Sequence, residues 1–175
     1  MRPDVDVAVL CLNRLYEDPE WLVSPDSIGP IRLNGEELSI PFRVYFLEPE
    51  PDCSSGLTNV QQLILNAILS RSHNGYVREK CVRKLLQSDE PWIPPFVLQL
   101  LGEYVLPIIR VVEDHSSVLK RSEYRDFVIE NPAFFELLKQ RIRSYWNCYY
   151  RGIFPRLSDY PAFQIAESYD EAKRL

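Results

Sequence analysis

Two histidines, four cysteines and scattered acids are the residues of this 175-residue chain whose types suit catalysis or metal binding. Metal-assisted or acid–base chemistry needs imidazoles and carboxylates aimed at a common point. His115 follows Glu113 and Asp114, but adjacent residues do not share a helix face, so that triplet is poor ligand geometry. It reads instead as a solvated helix end, where a cation meets the macrodipole. His73 lies in the turn-like run Ser72-His73-Asn74-Gly75. Cys11, Cys53, Cys81 and Cys148 are tens of residues apart, unlike the close pairs of zinc sites, and three fall in apolar helical patterns. Their spacing predicts reduced, mostly buried thiols. The sequence has no G-x-S-x-G elbow, Walker-type loop or G-x-G-x-x-G, which excludes nucleophilic catalysis and phosphate cradling by those routes. The expectation is a chain with no catalytic residues, no metal and no cofactor.

Three other groups of residues suit binding. Gln99, Glu103 and Arg110 fall on one side of an apolar helical run, either as a polar pocket or as that helix's solvent face, with Gly102 permitting close packing. Lys80, Arg83 and Lys84 share a helix face with Tyr76, and Arg71 and Arg78 are nearby; a net charge of −5 and pI near 5.1 argue against nucleic acid as the partner. The charge is uneven: residues 1–57 hold 4 basic and 11 acidic side chains, and residues 58–152 hold 13 and 10. An acidic front beside a mildly basic body suggests two distinct surfaces or intramolecular docking. Tyr145, Trp146, Tyr149, Tyr150, Phe154, Tyr160, Phe163 and Tyr169 crowd the C-terminal part, as a self-docked tail or as an interface anchor.

The elements that must position these groups follow from punctuation and periodicity. Glycine is scarce, at 6 residues, and proline abundant, at 14, which leaves little material for a many-turned β-sandwich. Residues 4–17 carry helical spacing with Asp4 as a candidate N-cap. Asn34-Gly35 marks a two-residue hairpin turn within 31–46, pairing Arg32 with Glu37; Pro41 implies an edge or a bulge. Glu48-Pro49-Glu50-Pro51-Asp52 reads as an extended acidic connector. A helical body over 58–152 follows. It has a cap near Thr58 or Asn59, a turn at 72–75, and a third helix after Pro94 in which Pro107 forces a kink or a break. A last long helix starts at Asn131-Pro132 and stops at Gly152, where positive φ is useful, as at Gly35 and Gly75. The tail, 153–175, allows one weak helix after Pro161. No apolar run reaches the length of a membrane span and the N-terminus lacks signal-peptide features, so the expected address is cytoplasmic.

The run from His73 to Leu86 resembles the second helix of a HEAT-type repeat: a polar turn leads into Val77-Arg78, then aliphatic residues recur toward Leu85-Leu86. Val60 to Arg71 would be its first-helix partner. Cys81 stands where alanine is usual, Asn74 replaces the turn aspartate, and no convincing second copy follows. The resemblance covers about residues 60–87 and implies a helical-hairpin stack with a protein-binding surface.

The sequence therefore predicts a single mainly α domain, a helical bundle or short HEAT-like stack with a small β-hairpin near the N-terminus. The expected function is a non-catalytic cytosolic protein-interaction module, in one form an acidic inhibitor or immunity-type protein that masks a basic partner. The expected partner-binding residues are Glu48, Glu50, Asp52, Tyr76, Arg83 and Trp92. The alternative is a small-molecule-binding protein or enzyme with a pocket between hairpin and helices, involving Gln99, Glu103 and Arg110. A homodimer through the aromatic tail is a third possibility.

Overall fold

The computed structural model describes residues 2–14, 23–24, 26–50, 52 and 55–172. It is mainly α-helical, with a small antiparallel hairpin near the N-terminus. Among the described residues no helix is long and apolar enough to cross a membrane.

Helix α1 (Arg2–Leu10) is shorter than the expected 4–17. Asp4 lies in its first turn and accepts a hydrogen bond from Gln61 Nε2 rather than capping the end. Past Leu10 the chain tightens into a turn, and strand β1 (Asn13–Arg14) pairs with β4 (Phe46–Leu47). Strand pairing overrides the helical spacing of the residues after Leu10; residues 15–17 lie outside the described residues. Cys11 is disulfide-bonded, which corrects the expectation of four reduced thiols. Cys81 and Cys148 are free, and Cys53 lies outside the described residues.

The hairpin joins β2 (Ser27–Leu33) to β3 (Glu36–Pro41) with the expected register, Arg32 opposite Glu37 and Leu33 opposite Glu36. Asn34 and Gly35 take φ of 54° and 81°, which the two-residue turn requires. The second strand does not run on to Phe46. Pro41 has no N–H to give the ladder, so β3 ends there, and Val44 instead bridges Val23 and Ser72. The irregularity lies in β2, between Ser27 and Pro30, where Gly29 has φ +88°.

Helix α2 (Asn59–Leu69) starts in a capping box: the Thr58 hydroxyl accepts from Gln61 N and the Gln61 side chain accepts from Thr58 N. Helix α3 (Gly75–Leu85) is capped by Asn74, and Gly75 there does not need positive φ. Helices α4 (Pro94–Leu101) and α5 (Leu106–Asp114) are separate. Gly102 ends the first, and Pro107 sits in the first turn of the second, where its missing N–H costs nothing. Pro107 thus marks a break. Helix α6 (Ser122–Glu130) leads into α7 (Pro132–Tyr145), which continues as a π-helical turn, Trp146–Tyr150. Gly152 does not adopt the positive φ of a C′ glycine. Helix α8 (Pro161–Ala172) folds the tail back onto the body.

Among the described residues two apolar cores result. The larger joins Ile28, Ile31 and Ile40 of the hairpin to helices α3–α8. Asn131 locks the hairpin in place: its Oδ1 accepts from Arg32 N at 2.6 Å and its Nδ2 donates to Arg32 O at 2.7 Å. The smaller core lies among α1, α2 and α3, and Trp92 packs against both. Tyr150, Phe154, Tyr160 and Tyr169 are buried and Trp146 and Phe163 pack partly buried against the same core, so the C-terminal aromatics are largely self-docked.

Candidate functional site

Four charged side chains converge where the hairpin exit, the α2–α3 turn and the α4–α5 break meet. Glu103, 2% exposed, is the one carboxylate. Its Oε1 receives Arg71 Nη2 at 2.6 Å and Arg43 Nη1 at 3.0 Å, and its Oε2 lies 2.9 Å from Arg78 Nε. Arg71 and Arg78 are buried, whereas Arg43 is 14% exposed. Three guanidinium groups against one carboxylate leave an excess of two positive charges in a largely dry region, a costly arrangement unless further polar groups help. Some do: Arg78 Nη1 donates to the carbonyls of Ser72 and His73, and Arg43 Nη1 to that of Phe42. Arg71 has no such help. Among the described residues its Nε and Nη1 find no hydrogen-bond partner, nor does the side-chain amide of buried Gln99. Desolvation pulls the Arg71 pKa down to about 10 although Glu103 supports its charge, and burial lowers Arg78 as well.

The cluster fixes the break between α4 and α5, and so positions the next residue, Tyr104. Its ring lies 5.9 Å from that of Tyr145 and 6.0 Å from that of Tyr149, and the last two are 6.0 Å apart. The Tyr150 hydroxyl donates to the Tyr104 carbonyl from beneath. Leu137, Arg141, Tyr145, Tyr149 and Ile153 follow at four-residue steps along α7, the π turn and its exit. Tyr149 is 62% and Ile153 60% exposed. A π turn adds a residue to the helical repeat and so re-aims the side chains beyond it; here it carries Tyr149 beside Tyr104. Arg141 and Arg151 carry guanidinium charge at this surface with no acidic partner among the described residues, and stack on Phe42 and Trp146. Between Glu136 and Asp159 the sequence contains no acid at all.

The sequence-derived candidates are distributed differently from expectation. Gln99 and Glu103 point inward together, so the solvent-face reading fails for them. Arg110 does not join them: it pairs with Glu113 at 2.6 Å and lies over the Phe154 ring. Glu48 pairs with Lys80 at 2.6 Å across the surface, and Arg83 with Glu79 within α3. Glu50 and Asp52 are exposed. Trp92 is half-buried, its Nε1 donating to Glu90, so its ring is committed to the fold. Tyr76, 84% exposed, follows Gly75, which packs near the Val105 side chain, and Val105 follows Tyr104. Sequence reasoning missed Arg43, Arg71 and Arg78 as partners of Glu103. One signal existed: Arg78 shares its helical row with Val82 and Leu85, both fully buried. Nothing comparable pointed to Arg43.

Two clefts between hairpin and helices are small, about 140 and 180 Å³, below the usual size of a ligand pocket. Among the described residues no three His, Cys, Asp or Glu side chains form a metal-holding group. No protein-family model, curated protein or solved structure matches the chain, and the HEAT-like resemblance rests on residues 60–87 alone.

Proposed function

We propose that this chain is a protein-interaction module that acts without catalysis, and that its contact surface is the exposed tyrosine stripe formed by Tyr104, Tyr145, Tyr149 and Ile153. The observation that carries this reading is a packed trio of tyrosines, Tyr104 and Tyr149 exposed and Tyr145 half-buried, beside two arginines with no acidic partner among the described residues. Tyr and Arg are the residue types that dominate binding energy at protein interfaces, and apolar surface of this kind marks contact sites. The charge selects a partner with acidic groups around apolar anchors. It also disfavours self-pairing through this face, because a two-fold contact would set Arg141 and Arg151 against their own copies.

The acid-driven form, in which Glu48, Glu50 and Asp52 mask a basic partner, is a weaker second reading because Lys80 already neutralises Glu48. The cytoplasmic address, expected from the lack of a membrane-span run and of signal-peptide features, gains no support from Cys11, since disulfides persist in oxidising compartments. Affinity capture on the immobilised chain, compared with a Tyr104→Ser/Tyr149→Ser/Ile153→Ser variant, tests the proposal. An acidic protein retained by the native chain and lost by the variant supports it. Identical capture by both refutes it, as does a native dimer that the variant abolishes.

A further inference from the structure

On another side of the molecule, a cleft of about 560 Å³ opens where the end of α5, the short helical turn Val118–Lys120, α6 and α8 meet. That volume is in the range of small-molecule sites. Its floor is apolar, made by Leu119, Pro161, Ile165 and Tyr169, all buried. Most polar groups on its walls are already engaged. The Tyr169 hydroxyl donates to the Leu119 carbonyl, Ser168 Oγ to the Ile165 carbonyl, and Gln164 Nε2 to the Ser158 carbonyl. The Glu113 carboxylate is held by Arg110. What remains for a ligand is the Ser116 hydroxyl and two cations, Lys120 and Arg125, which have no acidic partner among the described residues.

We propose that this cleft binds a small amphipathic anion, of the class of an aromatic or medium-chain aliphatic carboxylate. The apolar body lies on the Leu119–Ile165–Tyr169 floor and the carboxylate is held between Lys120 and Arg125. An apolar floor provides the burial, and the two cations select an anion over a neutral molecule of equal size. The site is independent of the tyrosine stripe, so each stands or falls alone.

The test uses the full chain with 8-anilinonaphthalene-1-sulfonate, a fluorescent probe that combines an aromatic body with an anionic head. Saturable binding to one site is expected, weakened at least tenfold by Lys120→Glu/Arg125→Glu and abolished by Ile165→Trp, which fills the floor. Near-ultraviolet circular dichroism confirms that each variant keeps its packing. Octanoate displaces the probe; octanol and inorganic phosphate compete at least tenfold less well. The Tyr104→Ser/Tyr149→Ser/Ile153→Ser variant binds the probe as the native chain does. The proposal is overturned by an absence of saturable binding, by equal affinity in the charge-reversed variant, by equal competition from octanol or phosphate, or by loss of binding in the tyrosine variant.

Discussion

Replacing Glu103 with glutamine removes the one carboxylate among three guanidinium groups and leaves the carbon skeleton in place. Two of those groups, on Arg71 and Arg78, have no route to solvent, and Arg71 already lacks partners for two of its nitrogens. Breaking a buried ion pair by removing one partner costs about 3–5 kcal/mol, because the stranded charge keeps its desolvation penalty. For a chain of this size, each kcal/mol shifts the thermal midpoint by roughly 2–4 °C, so the loss is on the order of 10 °C. The stoichiometry makes the opposite deletion gentle. Arg71→Met takes away one of the two surplus charges and fills the same space, while Arg78 and Arg43 still hold Glu103. Its cost is within about 1 kcal/mol of zero, in either direction. Urea unfolding of the native chain, E103Q and R71M, with midpoints and slopes compared, reads both numbers. A loss below about 1 kcal/mol in E103Q, or an equally large loss in R71M, would show that the surplus-charge account of this cluster is wrong.

Other consequences are open to direct measurement. A Cβ on Gly102 would lie 2.8 Å from Leu138 Cδ1 inside the packed core, so Gly102→Ala is expected to lower stability by about 1–3 kcal/mol in urea unfolding. Burial pushes the Cys81 thiol up from 9.0 to about 12, while Cys148 is exposed; mass mapping after brief iodoacetamide treatment near neutral pH should find Cys148 modified and Cys81 untouched until the chain is unfolded. Burial likewise raises Tyr124, Tyr160 and Tyr169 above their ordinary 10.0. Each of these folded pKa values exceeds the unfolded one, so the unfolded chain loses the protons first; stability is intact below about pH 8 and falls as pH rises from there. Arg71, lowered from 12.5 to about 10, and Arg78, also lowered by burial, act in the opposite sense only above about pH 10, where the thiol and the three phenols have already taken effect. The urea midpoint should therefore drop between about pH 8 and about pH 10.5, and an unchanged or rising midpoint would count against the burial of these groups.

Local signals predicted local structure well. Asn34-Gly35 set the hairpin register, Thr58 and Asn74 mark true helix starts, and Pro107 belongs to a first turn, as proline prefers. The errors came where a distant partner decided the outcome. Residues after Leu10 turn aside because Phe46 and Leu47 offer strand pairing. Asn131 does stand at the N-cap position of α7, but its side chain goes to the Phe127 carbonyl and to Arg32, the latter far away in sequence, instead of capping the helix. The ion cluster shows the same limit: Glu103 and Gln99 stood out as polar residues on an apolar helix, but the burial of Glu103 follows from three arginines on other elements. Tyr104 and Tyr149 were equally illegible as a pair. Their contact depends on the α4–α5 break and on the π turn, and no sequence periodicity encodes either.

As proposed, partners meet the tyrosine stripe rather than the acidic connector. Site-specific photo-crosslinking separates the two, with p-benzoylphenylalanine placed at Tyr149 in one version of the chain and at Glu48 in another. The expected result is a discrete crosslinked species from position 149, containing an acidic protein and diminished by salt, with none from position 48. A crosslink from position 48 alone would contradict the claim and move the contact surface to the acidic segment.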